Sequence, residues 1–108
     1  MMDHIVDLEL CEPTPFMFGD NGHLGVTDGQ SVWIVVVTCE ALRATAFPPE
    51  ASVKRLSRYA DVYRDMAEGM IARREDVDGK VWIFEKNILA KRAVRSASPA
   101  TRRSTSLR

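Results

Sequence analysis

The sequence predicts a two-layer α+β domain, in which a mostly antiparallel sheet of about four strands is packed by one long amphipathic helix. Three observations lead to this fold class. Two runs, Val32–Val37 and Val81–Phe84, are apolar on both faces, which is typical of buried strands. The segment Glu50–Arg74 repeats its apolar residues every three or four positions, as an amphipathic helix does. We also expect short helices and a disordered basic C-terminal tail.

The first strand is predicted at Ile5–Leu10, where apolar and acidic residues alternate. Pro13 and Pro15 are expected to end it, because proline cannot donate a hydrogen bond to a sheet. A separate short strand is predicted at Phe16–Phe18. The composition of Gly19–Gly22 then favours a turn.

A hairpin is predicted where Asp28 and Gly29 join two strand-like runs, His23–Thr27 and Gln30–Thr38. An Asp-Gly pair favours a two-residue turn in which both residues have positive φ. Along the second strand, side chains should alternate between the two faces of the sheet. One face would carry Val32, Ile34 and Val36, and the other Trp33, Val35 and Val37.

Thr38 is expected to cap a short helix over Cys39–Thr45. The long helix that follows should bury one apolar arc and expose a charged one. The apolar arc consists of Val53, Leu56, Tyr59, Ala60, Tyr63, Met66, Ala67, Met70 and Ile71. A loop at Glu75–Gly79 leads to the last strand, after which Asn87 is expected to cap a short helix through Val94.

Charge is unevenly distributed along this chain of zero net charge. Residues 1–40 hold seven acids and no Lys or Arg, whereas residues 91–108 hold six bases and no acid. We expect residues 1–94 to form one folded domain and residues 95–108 a disordered tail, since the tail has too few apolar groups to offset the entropy of ordering.

The basic residues are candidate contacts for nucleic acid or another anion. They are Lys54, Arg55, Arg58, Lys91, Arg92, Arg95, Arg102, Arg103 and Arg108. The alternative is that these side chains pair with the acids of the same chain or remain solvated, as most surface charges do.

No pattern indicates catalysis, a cofactor or a metal. The possible ligands His4, Cys11, His23 and Cys39 lack the close spacing of zinc sites. The glycine-rich Gly19–Gly25 lacks the Gly-Lys-Ser/Thr of a phosphate loop. No signal-peptide pattern and no apolar run of about 20 residues is present, so we expect a cytoplasmic protein that does not enter a membrane.

Several short sequence motifs follow one another along the chain. They are Gly25-Val26, Asp28-Gly29, Thr38–Leu42, Tyr63-Arg64, Met66-Ala67, Asp78-Gly79 and Val81–Phe84. Through these motifs the stretch from Phe16 to about Leu89, about two-thirds of the chain, resembles the bacterial domain-of-unknown-function family numbered 1488. That family has no established activity. The resemblance therefore implies a small fold of helices and strands and carries over no catalytic residue.

The strands that are apolar on both faces indicate an interface. The helix covers one face, and the other needs cover either from residues 39–46 and 87–94 or from a second subunit. The homodimer hypothesis assigns five residues to this interface: Trp33, Val35, Val37, Trp82 and Phe84.

We therefore expect a non-enzymatic module that binds a protein or acts as an accessory. The alternatives are weak, sequence-independent nucleic-acid association through the tail, and a small enzyme of unknown chemistry.

Overall fold

A computed structural model describes residues 7–92 and confirms the α+β fold class. Four strands form a single sheet: β1 (Glu9–Phe18), β2 (Asn21–Thr27), β3 (Val32–Val37) and β4 (Lys80–Ile83). They lie side by side in sequence order. The β1–β2 and β2–β3 pairs are antiparallel and the β3–β4 pair is parallel, so the sheet is mixed but mostly antiparallel, as predicted.

Four helices fill the rest of the described chain: α1 (Cys39–Thr45), α2 (Val53–Arg58), α3 (Ala60–Ala72) and α4, which covers residues 85–92. The prediction for α1 is confirmed, because the side chain of Thr38 accepts a hydrogen bond from the backbone N–H of Ala41. The prediction of one continuous helix over 50–74 is wrong. The helix is interrupted at Tyr59, whose φ of −108° and ψ of 21° are not helical.

The interruption lets α2 and α3 lie on different parts of the sheet. Leu56 of α2 packs directly on Gly22 of β2, where an added Cβ would be 2.9 Å from both terminal carbons of Leu56. Tyr63 and Met70 of α3 are buried farther along the same core. Because the apolar periodicity is nearly continuous across Tyr59, the sequence pattern does not show this interruption.

The core lies between the sheet and the helices. The predicted apolar arc faces it from Leu56 onward, since Leu56, Ala60, Tyr63, Ala67 and Met70 are all buried. Val53, at the start of the arc, is 45% exposed, so the prediction is wrong for that residue. The hydroxyl groups of Tyr63 and Thr45 are 2.7 Å apart and hydrogen-bonded. Burial, which dominates over this hydrogen bond, raises the pKa of the Tyr63 phenol above its ordinary value.

The prediction that prolines end the first strand is also wrong. Strand β1 continues through Pro13 and Pro15 to Phe18. Its register changes between Cys11, which lies opposite Gly25, and Phe16, which lies opposite His23. Residues 12–15 therefore bulge out of the ladder. The sheet tolerates the prolines because β1 is an edge strand and the bulge already disrupts its hydrogen bonding.

The β2–β3 hairpin is confirmed, but its turn is longer than predicted. Thr27 pairs with Val32, so four residues form the connection. Gly29 alone has positive φ there, at 98°. The Asp28 carboxylate accepts hydrogen bonds from the backbone N–H groups of Gln30, at 2.8 Å, and Ser31, at 2.7 Å. These hydrogen bonds lower the pKa of Asp28.

Helix α4 begins before the position predicted from Asn87. Asn87 lies in its first turn, and its side-chain oxygen accepts from the backbone N–H of Phe84 at 2.8 Å. The residue thus caps the helix from the N3 position, as the second partner of a capping box does. The first part of the predicted strand at 5–10, the end of the predicted helix at Val94 and the tail at 95–108 lie outside the described residues.

Candidate functional site

The two faces of the sheet have different cover. The buried apolar side chains of all four helices, such as Leu42, Leu56 and Ile88, join one core with Val35 and Val37 of β3. Side chains alternate along a strand, so the neighbours of these two valines point to the opposite face. Within residues 7–92, no helix contributes a buried residue to that opposite face.

A row of side chains crosses this second face. Phe16 of β1 lies opposite His23 of β2, His23 lies opposite Val36 of β3, and Val36 lies opposite Trp82 of β4. Phe18 packs edge-on against His23, and Phe84 stacks on Trp82 with centroids 6.0 Å apart. We call this set the aromatic face: Phe16, Phe18, His23, Val36, Trp82 and Phe84.

The aromatic face is well exposed at its margins and closed at its centre. Phe18 is 72% exposed and Trp82 39%, whereas Val36 between them is only 1% exposed. The ring nitrogen Nδ1 of His23 is buried and has no hydrogen-bond partner within the described chain. A large exposed apolar surface around a closed centre is typical of an interaction site.

The structure corrects the predicted interface. Val35 and Val37 are fully buried beneath the helices, and Trp33 lies on the same face. The indole N–H of Trp33 donates to the Asp76 carboxylate at 3.0 Å. Among the predicted interface residues, Trp82 belongs to the exposed face, and Phe84 stacks on it there.

Phe16, Phe18, His23 and Val36 were not among the predicted interface residues. A signal was present, because Phe16 and Phe18 are two apart and share one side of a strand. Both faces of β3 are apolar, however, so the alternation does not show which face the helices cover. The early end predicted for the first strand also placed these phenylalanines in a separate strand, with no indication of its neighbour in the sheet.

The edges of the sheet offer little to a partner strand. On β4, Lys80 exchanges both backbone hydrogen bonds with Val77, and the Phe84 N–H is taken by Asn87. On β1, Pro13 and Pro15 have no N–H to donate. Such features protect edges against pairing.

Arg55 is not one of the exposed anion contacts that the sequence predicted. It is only 6% exposed, and its guanidinium donates to the carbonyl groups of Leu42, Ala46, Glu50 and Pro48 at 2.7–3.5 Å. The guanidinium carbon also lies 5.7 Å from the centre of the Tyr59 ring. Arg55 therefore holds the loop between α1 and α2.

The other predicted basic contacts differ in position. Lys54 and Arg58 are exposed on α2. Arg92 donates to the Ala44 carbonyl at the end of α1, at 2.7 Å. Lys91 is half-buried. The tail residues of the predicted set, Arg95, Arg102, Arg103 and Arg108, lie outside the described part of the chain.

Residues 7–92 contain few side chains suited to a metal site or to thiol chemistry. That stretch contains no cluster of three His, Cys, Asp or Glu side chains suited to a metal ion. Cys11 and Cys39 are free thiols. Burial, and then the charge of Glu12, raises the pKa of Cys11 and so disfavours its thiolate. None of the described helices has the length and apolarity needed to cross a bilayer.

Comparison of the chain with models of known protein families, with curated proteins and with solved structures finds no match.

Proposed function

We propose that this protein is a binding module that pairs with a second copy of itself through the aromatic face. The exposed aromatic side chains on a sheet face without helices are the observation that carries the proposal. Removing such side chains from water on association would be favourable, at about 25 cal/mol for each Å² of apolar surface buried. We also propose that the chain is related to the domain-of-unknown-function family numbered 1488. Because that family has no established activity, this relationship adds no activity to the proposed function.

The arrangement of the row favours a second copy as the partner. Phe16 and Trp82 lie at opposite ends of the row, on the two outer strands. A two-fold axis that runs parallel to the strands, above the middle of the row, would bring Phe16 against Trp82 of the partner subunit. The same contact would then form at the other end of the row. Such self-complementarity is the requirement for a symmetric dimer. Two sheets in this arrangement pack face to face at about 10 Å.

The size of the face predicts a weak dimer. Four strands about 4.8 Å apart give a width of about 19 Å, and about six residues at about 3.4 Å each give a length of about 20 Å. The flat area of the face is therefore roughly 400 Å². Stable interfaces bury about 800 Å² from each partner. Protruding rings such as Phe18 enlarge the contact, but the dimer should still dissociate on dilution.

The test is the molar mass of the protein in solution. Sedimentation or light scattering should show a monomer at low micromolar concentration and a dimer at high micromolar concentration. Phe18→Ser and Trp82→Ser should each shift the transition to higher concentration. Phe18 is 72% exposed and can be replaced with little loss of stability, whereas Trp82 is 39% exposed and its replacement also removes packing within the subunit.

Phe47→Ser is the matched control, because Phe47 is an exposed aromatic residue in the loop between α1 and α2 and lies outside the aromatic face. It should leave the transition unchanged. A wild-type protein that remains monomeric at every concentration would refute the proposal. Equal weakening by the Phe47 and Phe18 substitutions would do the same, because contact would not then depend on the aromatic face.

A further inference from the structure

A second exposed aromatic residue lies among positive charges, away from the aromatic face. A hollow of about 300 Å³ is lined by Phe47, Lys54, Arg58 and Tyr59, together with Glu50 and the buried Arg55. Phe47 is 88% exposed, and Lys54 and Arg58 are exposed beside it. The one acid, Glu50, is hydrogen-bonded to Ser52.

A second group of cations adjoins this hollow. Tyr59 also lines a smaller hollow of about 70 Å³ that includes Lys91 and Arg92 of α4. Two hydrogen bonds bring the groups together: Arg92 donates to the Ala44 carbonyl at 2.7 Å, and Arg55 donates to the Ala46 carbonyl at 3.2 Å. Arg92 of α4 therefore lies beside the start of the loop that carries Phe47.

The charge of this cluster is not neutralised by ion pairs within residues 7–92. The ion pairs found there are formed by Arg64 and Arg73, on α3 and just after it. Residues 93–108 then carry four further bases and no acid: Arg95, Arg102, Arg103 and Arg108. The sequence that follows the cluster is therefore also basic.

We propose that this cluster binds single-stranded nucleic acid, with a base stacked on Phe47 and phosphates held by Lys54, Arg58 and Lys91. Proteins that bind single strands combine aromatic rings with a row of cations in this way. The ring requires an unpaired base, which a duplex does not present. One exposed ring is a poor membrane anchor, since even a single myristoyl chain binds a bilayer only marginally.

The test uses the full chain and a fluorescent oligothymidylate, with binding followed by anisotropy over a range of salt concentrations. Phe47→Ala should weaken binding by between about 5-fold and about 100-fold, the usual effect of losing one base stack. The double variant Lys54→Ala/Arg58→Ala should reduce the slope of log affinity against log salt by about 1.4, because each phosphate that is no longer neutralised lowers the slope by about 0.7.

Two controls separate this proposal from general charge and from dimerisation. Lys80→Ala/Lys86→Ala removes two exposed lysines near β4 and should leave the affinity within about twofold, since screened charges outside the site contribute little. Phe18→Ser should weaken the dimer and leave nucleic-acid binding intact. The dimer proposal and the nucleic-acid proposal can therefore fail independently of each other.

Four outcomes would overturn the proposal. The first is equal binding of single strands and a duplex. The second is an unchanged affinity in the Phe47 and Lys54/Arg58 variants. The third is binding that deletion of residues 95–108 abolishes while those variants have no effect, which would assign it to the tail alone. The fourth is attachment to phosphatidylserine vesicles without binding of the oligonucleotide.

Discussion

The ring of Phe16 stacks on the ring of His23, with centroids 5.2 Å apart and planes 18° from parallel. This contact depends on the bulge in β1, because the shift of register after Cys11 places Phe16 directly opposite His23. The stack closes over the imidazole and leaves its Nδ1 buried without a partner in the described chain. The bulge thereby builds one end of the aromatic face.

His23→Phe should stabilise the protein. The phenyl ring keeps the stack with Phe16 and removes a buried polar atom that has no hydrogen bond, which ordinarily costs about 1–3 kcal/mol. We expect the free energy of unfolding in urea to rise by about 1 kcal/mol. His23→Ala is the comparison, since it also removes the stack and should destabilise. A loss of stability in His23→Phe would contradict this prediction.

Gly25→Ala should destabilise the protein strongly. An added Cβ would lie 2.5 Å from the Glu12 carbonyl oxygen, a backbone atom of the bulge that cannot rotate away. We expect a loss of about 3 kcal/mol, the upper end of the usual cost of overpacking. Gly19→Ala is the control, because its site has positive φ but open space and should cost about 1 kcal/mol. Urea unfolding that ranks the two variants the other way would contradict the close approach.

Arg55→Met should destabilise the fold by about 3 kcal/mol, since it removes the donor from the buried Leu42 carbonyl of α1 and from the partly buried carbonyls of Ala46 and Pro48 in the loop that follows. Arg55→Lys should restore only part of this loss, because an ammonium group cannot reach as many separate acceptors as a guanidinium. Arg58→Ala, at an exposed neighbour, should change stability by less than about 0.5 kcal/mol. Thermal unfolding of the three variants tests the order.

Stability should fall at acidic pH partly through Asp28. Backbone hydrogen bonds from Ser31 and Gln30 lower the pKa of this carboxyl in the folded protein below its ordinary value of 3.8. Its contribution is therefore fully present above that value and is lost as the pH falls through the lower folded pKa. Asp28→Asn keeps an acceptor oxygen without a charge. Chemical unfolding between neutral and acidic pH should show a weaker pH dependence in the variant, and identical curves would contradict this role.

Several elements could be predicted because their signals are local. Thr38 precedes an apolar helical repeat and caps α1 as expected. The apolar arc from Leu56 to Met70 has a period that fixes which residues share one side of a helix, and these residues are buried. The β2–β3 hairpin follows from turn residues between two apolar runs.

The candidate sites could be predicted only in part. Trp82 and Phe84 were assigned to an interface from the apolar run that contains them, and Lys54 and Arg58 to a basic patch from their spacing. Other segments complete each surface: Phe16 and His23 lie in the row that ends at Trp82. Lys91 lines the hollow that adjoins the one lined by Phe47 and Lys54. Nothing in the linear order of the residues indicates these contacts.

The amino-acid sequence alone determined the fold class, most strands and helices, and the residues that share each face. Tertiary structure decided which face of β3 the helices cover, where the long helix breaks at Tyr59, and how β1 passes through its prolines. The physical reason is that backbone geometry sets the period of side chains along an element, whereas apolar burial has no direction. Val35 and Val36 are equally apolar, and only the packing of Leu56 and Tyr63 selects the first of them for the core.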